Sequence, residues 1–406
     1  MNFKRLTFTN RFDQKLSARL DLPVDGRPLA YAIFAHCFTC TKNLKAVGNI
    51  SRALNRAGIA VMRFDFTGLG ESEGDFADTN FTTNVSDLVD AADFLAAEYQ
   101  APEILIGHSL GGAAVLQAAA RMESAKAVAI IGAPANADHV LNHMADAYDT
   151  IKARGEAEVR LAGRPFKIKK QFIDDLESHK MADVIARLKR ALMILHSPID
   201  QTVGIENAAA IFKAAKHPKS FISLDQSDHL LSRSADSEYA GTIIAAWARK
   251  YITALTGDKV RTAGADNQVI ARTGPSGYMT DIAAGEHSLT ADEPVAAGGT
   301  NLGPTPYDFL LAGLGACTSI TLRMYADRKQ WPLEGIEVAL RHQKIHADTC
   351  RECETKSGYL DEIKREIKLE GPLDGEQRKR LLQIADRCPV HRTLHSEIRI
   401  DTDLTV

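Results

Sequence analysis

The 406-residue chain is poor in cysteine, has almost balanced charge and lacks a long apolar run. Its six cysteines are too few for the disulfide framework of a secreted protein and favour reactive thiols over structural bridges. The 49 basic and 52 acidic residues leave a net charge of −3, with no basic stripe that would indicate nucleic acid as a partner. Neither a signal-like N-terminal segment nor a bilayer-spanning stretch is present, so we expect a cytoplasmic protein that does not engage a membrane.

The length, with 45% apolar and 25% charged residues, predicts two globular domains. Over residues 1–255, strand patterns alternate with helical ones, which indicates an α/β fold with a parallel sheet. Residues 135–188 interrupt the alternation and predict a small lid. The polar stretch 256–268 is the predicted linker to a second, α+β domain at 269–406.

The centre of the first domain is the sequence Gly107–Gly111, in which Ser109 has the G-x-S-x-G context. An apolar strand precedes it and an Ala-rich helix follows, which is the pattern of a nucleophile elbow. The sharp turn needs small neighbours, and it leaves the serine hydroxyl exposed at a helix N-terminus. The free backbone N–H groups at that position can stabilise an oxyanion.

Two further strand ends carry the groups that a serine nucleophile needs. Asp200 follows the strand at Ala191–Leu195, and His229 follows the strand at Ser220–Leu224. An imidazole must accept the serine proton, and a carboxylate must orient the imidazole. The chain order Ser, Asp, His is the α/β-hydrolase order. Asp225 and Asp228 are rival acids, but their proximity to His229 in the chain makes the geometry awkward.

Residues 1–255 therefore resemble an α/β hydrolase of the esterase and peptidase-like group. The Asp65–Gly70 loop, Asp-Phe-Thr-Gly-Leu-Gly, belongs to the same likeness. The resemblance implies that the backbone N–H groups of Leu110 and Phe38 form the oxyanion hole. Phe38 follows the family's His-Gly position, which is His36-Cys37 here. The implied activity is a carboxylesterase acting on small acyl esters, without a cofactor.

The second domain has its own pair of motifs, around Cys317 on a long apolar helix and around Cys388 before Pro389. The helix is predicted over residues 306–328, with one buried face that contains Leu310, Leu314, Cys317, Ile320 and Tyr325. A last strand is predicted over residues 397–401. These stretches resemble the two cysteine motifs of the OsmC/Ohr family. That resemblance implies an intertwined homodimer and a thiol peroxidase for organic hydroperoxides, with a dithiol or lipoylated protein as reductant. Cys317 would then be the peroxidatic thiol and Cys388 the resolving thiol, which condenses with the sulfenic acid.

The supporting groups of such a peroxidase are Arg272 and Asp308. Arg272 is the nearest match to the family's arginine, because Thr273-Gly274-Pro275 stands where an arginine follows a Thr-Gly-Gly turn. The family's glutamate after proline corresponds to Tyr307, with Asp308 one place along. Two rival hypotheses are an inert dimerisation scaffold, and a protein whose principal function is peroxidase chemistry.

The segment His342–Cys353 contains two histidines four residues apart followed by Cys350 and Cys353. These are ligand types that zinc prefers, and the cysteines could equally form a second redox pair or be incidental surface thiols. We assign no metal to the chain. A second C-x-x-C, Cys37 and Cys40, lies in the other domain.

Overall fold

The computed structural model describes residues 2–161, 163–256, 268–275, 277–285, 287–347 and 357–404. The chain divides into two compact units. The first comprises Met1–Gly274 with Asp281–Leu289, and the second comprises Pro275–Thr280 with Thr290–Val406. Most of the predicted linker lies outside the described residues.

The first unit is built on a mainly parallel sheet of eight strands. Its strands and those of a separate hairpin (β7, β8) are β1 Asn2–Thr9, β2 Lys15–Leu22, β3 Ala30–Ala35, β4 Ile59–Phe64, β5 Ile104–His108, β6 Ala127–Ile131, β7 Glu156–Leu161, β8 Arg164–Lys169, β9 Ala191–His196 and β10 Lys219–Ser223. The sheet order is β1-β2-β4-β3-β5-β6-β9-β10, and from β4 to β10 all neighbours run parallel. The predicted fold class is confirmed.

Both faces of this sheet are covered, which explains why its central strands are apolar throughout. Along β3, Tyr31 and Ile33 join one buried cluster, while Ala32 and Phe34 join the other. Successive side chains of a strand point to opposite faces, so the two clusters lie on the two sides of the sheet. The carboxyl ends of β5, β6 and β9 are thereby held in register at one edge.

Helices and the hairpin cover the sheet. The helices of the first unit are α1 Lys45–Arg56, α2 Phe81–Glu98, α3 Leu110–Ala119, α4 Ala145–Arg154, α5 Lys170–Ser178, α6 Met181–Ala186, α7 Glu206–Ala214, α8 Ser234–Ala248 and α9 Thr253–Thr256. The excursion between β6 and β9 contains α4, the β7–β8 hairpin, α5 and α6. The sequence analysis predicted an interruption of the strand–helix alternation in this region.

The second part of the chain has fewer elements. They are β11 Val269–Thr273, β12 Thr280–Ala284, β13 His287–Ala291, α10 Pro306–Lys329, β14 Gly335–His346, β15 Tyr359–Glu370, α11 Gly375–Ala385 and α12 Pro389–Leu394. β14 and β15 form a two-stranded antiparallel sheet. Residues 269–274 and 281–289 are counted with the first unit, where Arg272 donates to Asn2 and Asp281 pairs with Arg56.

Helix α10 buries a different face from the one predicted. The predicted face contained Leu310, Leu314, Cys317, Ile320 and Tyr325, whereas the buried residues are Leu314, Thr318, Leu322 and Ala326. These follow a spacing of four, and the last two pack in the core of the second unit with residues of α11. α10 also satisfies the length and composition of a membrane span, although sequence inspection found no such stretch. Core helices of other proteins satisfy the same criteria.

The predicted strand at Glu397–Asp401 was wrong, since the structure has no strand there. Its alternating Ile398 and Ile400 are 54% and 81% exposed. A strand requires a hydrogen-bonded neighbour, and within the described part of the chain this segment has none.

Candidate active sites

Ser109 lies on the turn between β5 and α3 in strained backbone. Its φ of 56° and ψ of −129° fall in a region that only glycine adopts easily. Its N–H donates to Ile131 O (2.9 Å), which ties the turn to the neighbouring strand. The predicted nucleophile elbow requires strained backbone of this kind at its serine.

The glycines of the elbow permit close backbone approach. A Cβ on Gly107 would lie 2.4 Å from Gly111 O, and a Cβ on Gly111 would lie 2.4 Å from His36 O. Gly111 therefore allows the start of α3 to touch the end of β3. This contact brings the loop after β3 beside Ser109.

Asp200 and His229 are hydrogen-bonded to each other at the same edge of the sheet. His229 Nδ1 lies 2.7 Å from Asp200 Oδ2, and the Asp200 side chain is buried. Burial alone would raise the pKa of the Asp200 carboxyl. The hydrogen bonds from His229, Val203 N–H and Thr202 N–H outweigh it and hold that pKa below its ordinary value. Asp200 is therefore an ionised partner for the imidazole.

His108 is a second imidazole beside this pair, with its ring centroid 4.9 Å from that of His229. Its Nε2 contacts His229 O at 2.7 Å. Burial lowers the pKa of His108 to about 3, so it stays neutral at working pH. It braces the loop that carries His229 and lacks the carboxylate partner of a triad base.

A cavity of about 440 Å³ opens over the elbow, and Ser109, Leu110, Phe38 and His229 all line it. Its other lining residues include five apolar ones: Pro134, Val140, Leu161, Val203 and Leu230. Within the described part of the chain, the Phe38 N–H makes no hydrogen bond, so it is available to an acceptor in the cavity. Of the five residues predicted for the hydrolase site, four therefore line this cavity. The fifth, Asp200, does not line it and is hydrogen-bonded to His229.

The excursion after β6 covers this cavity. Arg160 and Leu161 of β7 line it, and Arg164 at the start of β8 donates to Thr39 O. Phe172 of α5 packs against Phe38, with ring centroids 5.2 Å apart. The segment that the sequence analysis predicts as a lid therefore contacts the loop after β3.

Cys37 and Cys40 form a disulfide beside the cavity. The sequence analysis favoured reactive thiols over structural bridges, and this pair departs from that expectation. The Cys40 N–H donates to Cys37 O, so a tight turn brings the two Cα atoms within 5.2 Å. That separation lies in the usual range for a bridge.

Cys317 and Cys388 are free thiols that meet at the start of α12. Cys317 Sγ accepts from Val390 N–H (3.5 Å), and Cys388 Sγ accepts from His391 N–H (3.3 Å). Cys388 is buried and also lies 3.6 Å from Thr318 Oγ1. The backbone N–H groups of two consecutive residues therefore donate to the two sulfur atoms, although the two cysteines are 71 positions apart in the chain.

Comparison with known proteins matches two parts of the chain to families. Residues 34–183 match the family of serine aminopeptidase, S33, and residues 299–403 match that of OsmC-like protein. The esterase domain of a Rhodothermus marinus protein is 53% identical, with a TM-score of 0.52, and the match covers 62% of this chain and 100% of that domain.

The chain is a fusion of an α/β hydrolase with an OsmC-like domain.

Two more distant relatives concern the hydrolase domain. Mitochondrial palmitoyl-protein thioesterase ABHD10 of Mus musculus is 27% identical over 206 residues, 48% of this chain and 66% of the relative. The match thus spans slightly less than two thirds of that protein. Est1E of Butyrivibrio proteoclasticus, solved with ferulic acid, shares the fold at 20% identity and a TM-score of 0.52, over 61% of this chain and 99% of Est1E.

The two groups predicted to support the OsmC-like cysteines have other partners. Arg272 donates to Asn2 Oδ1 (3.0 Å). Asp308 accepts from Thr305 N–H and Oγ1 in the capping box of α10, and those bonds lower the pKa of its carboxyl. In the described residues, neither hydrogen-bonds to a cysteine.

Sequence reasoning missed Arg365, whose guanidinium reaches the cysteine site from β15. It donates to Thr318 Oγ1 (3.1 Å), Ala385 O (3.2 Å) and Asp386 Oδ1 (2.6 Å). Burial and the Arg365 charge lower the pKa of His391. No motif marks Arg365, because an alternating strand with many charges gives no reason to select one of them.

The possible zinc ligands are only partly described. Cys350 and Cys353 lie outside the described residues. His342 Nε2 contacts Asp361 Oδ1 at 2.8 Å, and its ring stacks on Tyr307. Within the described ranges, no group of three His, Cys, Asp or Glu side chains is arranged to hold a metal ion.

Proposed function

We propose that the hydrolase domain is a serine carboxylesterase for small acyl esters. The observation that carries the proposal is the hydrogen-bonded Asp200–His229 pair beside the cavity that Ser109 lines. The largely apolar lining suits an acyl chain. The 53% identity to a domain described as an esterase supports the same activity.

In the proposed mechanism, His229 accepts the Ser109 proton as Oγ attacks the ester carbonyl. Asp200 holds the imidazole and stabilises its cation. The N–H groups of Phe38 and Leu110 bind the oxyanion of the tetrahedral intermediate. His229 then protonates the leaving alcohol, and water hydrolyses the acyl-enzyme by the reverse sequence.

The test is a panel of p-nitrophenyl esters and acyl thioesters of increasing chain length. Ser109→Ala should lower kcat by ~10⁶-fold, the loss typical of a triad nucleophile. Ser237→Ala is the control, because Ser237 is a buried serine of the same domain that accepts a hydrogen bond from Asn49 and does not line the cavity. Retention of ester hydrolysis in Ser109→Ala would contradict the proposal, and preference for thioesters would redefine the substrate class.

We infer for the OsmC-like domain a thiol peroxidase that reduces organic hydroperoxides. Support comes from the two free thiols whose sulfurs accept consecutive N–H groups of α12. The half-buried Cys317 would attack the peroxide as thiolate, releasing an alcohol and becoming a sulfenic acid. Cys388 would displace water to form a disulfide, which an external dithiol or lipoylated protein would reduce.

The rival role for this domain is an inert scaffold, and one cross of variants separates the two. Cys317→Ser should abolish hydroperoxide consumption and leave ester hydrolysis within a few-fold of normal, whereas Ser109→Ala should do the reverse. Neither mechanism borrows a group from the other. If the unmutated chain consumes no hydroperoxide with dithiol present, the scaffold hypothesis replaces the peroxidase.

We also propose a homodimer formed through the OsmC-like domain. Only 22% of the most apolar window of α10 is buried within one chain. Ile320 and Met324, one turn apart on this helix, are 59% and 68% exposed. An apolar face of this kind marks an interaction surface, and a two-stranded sheet such as β14–β15 is marginal without further packing.

A further inference from the structure

Asp65, the first residue of the Asp-Phe-Thr-Gly-Leu-Gly motif, is fully buried at the end of β4 and binds the loop after β3. Its Oδ1 accepts the Lys42 backbone N–H (2.7 Å), and its Oδ2 accepts Lys42 Nζ (2.5 Å). The Lys42 side chain is only 5% exposed, and Nζ also donates to Glu71 (2.7 Å). One carboxylate thus holds both the main chain and the side chain of Lys42.

Lys42 ends the segment Cys37–Lys42, which we call the oxyanion loop. The Lys42 carbonyl accepts from Arg63 Nη1 (2.6 Å), and Asp21 in turn binds the Arg63 side chain (2.7 Å). The other end of the loop is held where His36 meets the start of α3 at Gly111. The Phe38 N–H lies between two anchored ends.

The glycines of the motif fit around this carboxylate. Gly70 has φ +57°, and a Cβ there would lie 2.2 Å from Asp65 Oδ2. Gly68 has φ +73°, and a Cβ there would lie 2.2 Å from Phe76 N. Only glycine allows the turn to fold over Asp65 so that Glu71 N–H also reaches Oδ2 (3.0 Å).

We propose that Asp65 and Lys42 are positioning residues for ester hydrolysis, which fix the oxyanion loop so that Phe38 N–H points at the developing oxyanion. The inference rests on the proposed esterase function. A buried ion pair contributes little net stability, because desolvation offsets the attraction. Its effect is to remove freedom from the loop, and preorganised donors are what stabilise an oxyanion.

The same turn is bound by a second fully buried carboxylate, Asp87 of α2, which provides a matched control. Asp87 accepts Thr67 N–H (3.0 Å) and Asn10 Nδ2 (2.9 Å), and so braces the turn from the side of α2. It makes no hydrogen bond to the oxyanion loop among the described residues. Asp65→Asn and Asp87→Asn both remove one buried charge without changing side-chain shape.

The experiment measures kcat, KM and the affinity for an aryl trifluoromethyl ketone, whose adduct with Ser109 carries the tetrahedral oxyanion. Asp65→Asn should lower kcat by about 10- to 100-fold, part of the ~10²- to 10³-fold cost of losing an oxyanion donor. The affinity for the ketone should fall by a similar factor, with KM within threefold. Asp87→Asn should leave all three within threefold while lowering the melting temperature.

If Asp65→Asn does not accumulate as folded protein, Lys42→Met serves as a second variant. Lys42→Met keeps the Asp65 carboxylate and the backbone N–H groups that donate to it. It should reproduce the split between kcat and KM, and Lys42→Arg should recover part of the lost kcat. Equal loss of kcat in Asp65→Asn and Asp87→Asn, or a lower kcat with unchanged affinity for the ketone, would overturn the inference. Absence of esterase activity in the unmutated chain would instead refute the proposed function.

Discussion

A substitution at Gly132, the residue after β6, tests the Asp200–His229 geometry without replacing either residue. Gly132 has φ +54°, and a Cβ built on it would lie 3.3 Å from Asp200 Oδ2 and 3.4 Å from His229 Nδ1. The distance to Asp200 is tighter than ordinary packing and the distance to His229 is at its lower limit, so Gly132→Ala should displace the pair by a few tenths of an ångström.

Two effects of Gly132→Ala can be estimated separately. Placing a Cβ at positive φ costs about 1–2 kcal/mol of folding free energy. A displacement of 1 Å in a catalytic group can cost ~100-fold in rate, so a few tenths of an ångström should cost about three- to tenfold in kcat. The substrate cavity keeps its walls, and KM should change little.

Gly26→Ala is the matched control. Gly26 has φ +70°, and the nearest atom to its added Cβ is Asn2 Nδ2 at 3.5 Å, an ordinary contact remote from the cavity. Thermal unfolding and ester hydrolysis are measured for both variants. Both should lose similar stability, and only Gly132→Ala should lose kcat. Full activity in Gly132→Ala, or an equal loss in Gly26→Ala, would refute the packing argument.

Three further predictions follow from the site and the exposed surfaces. Ester hydrolysis should be lost on acidification in a single step, because its base must be unprotonated; the hydrogen bonds to Asp200 lower the pKa of its carboxyl and burial lowers the pKa of His108 to about 3, so a second inflection at mildly acidic pH in the pH–rate profile would contradict this description of the site. Cys388→Ser should allow one stoichiometric oxidation of Cys317 by hydroperoxide and stop turnover until external thiol is added, as thiol titration would show. Ile320→Asp should convert the dimer to a monomer in sedimentation equilibrium, whereas Tyr239→Asp, at a 49% exposed position of the hydrolase domain, should not.

The elements of the hydrolase site could be predicted because their chemistry depends on chain order and strand ends. Ser109, Asp200 and His229 each follow a strand, and parallel strands bring their carboxyl ends to one edge. The G-x-S-x-G spacing also indicates backbone strain, which the φ of Ser109 displays. The burial of these residues, their hydrogen-bond partners and the shape of the cavity depend on side chains from distant segments. A local sequence pattern does not predict which distant segments these are.

The OsmC-like domain was harder to predict for a physical reason. Helix α10 is apolar on several faces, so periodicity alone could not distinguish the side that packs on α11 from the side around Ile320. The extended segment around Ile400 has the alternation of a strand and no neighbour within the described chain. Both ambiguities involve apolar surface that a single chain leaves exposed, which is the surface that the proposed dimer would cover.

The two centres share a physical arrangement that motifs do not encode. The motifs mark the atoms proposed to react or to bind the oxyanion, and these atoms lie beside the first backbone N–H groups of a helix, α3 in one domain and α12 in the other. Behind each lies an ion pair that is partly or wholly withdrawn from water. In the hydrolase it is Lys42–Asp65, and in the OsmC-like domain it is Arg365–Asp386, whose guanidinium is 12% exposed.

Such pairs contribute little net stability, because desolvation cancels much of their attraction. Their hydrogen bonds are directional, however, and each pair binds the main chain beside the site, at Lys42 N–H in one case and Ala385 O in the other. The positions of these charges follow from the fold, so sequence comparison finds the reacting groups while only the structure identifies what holds them in place.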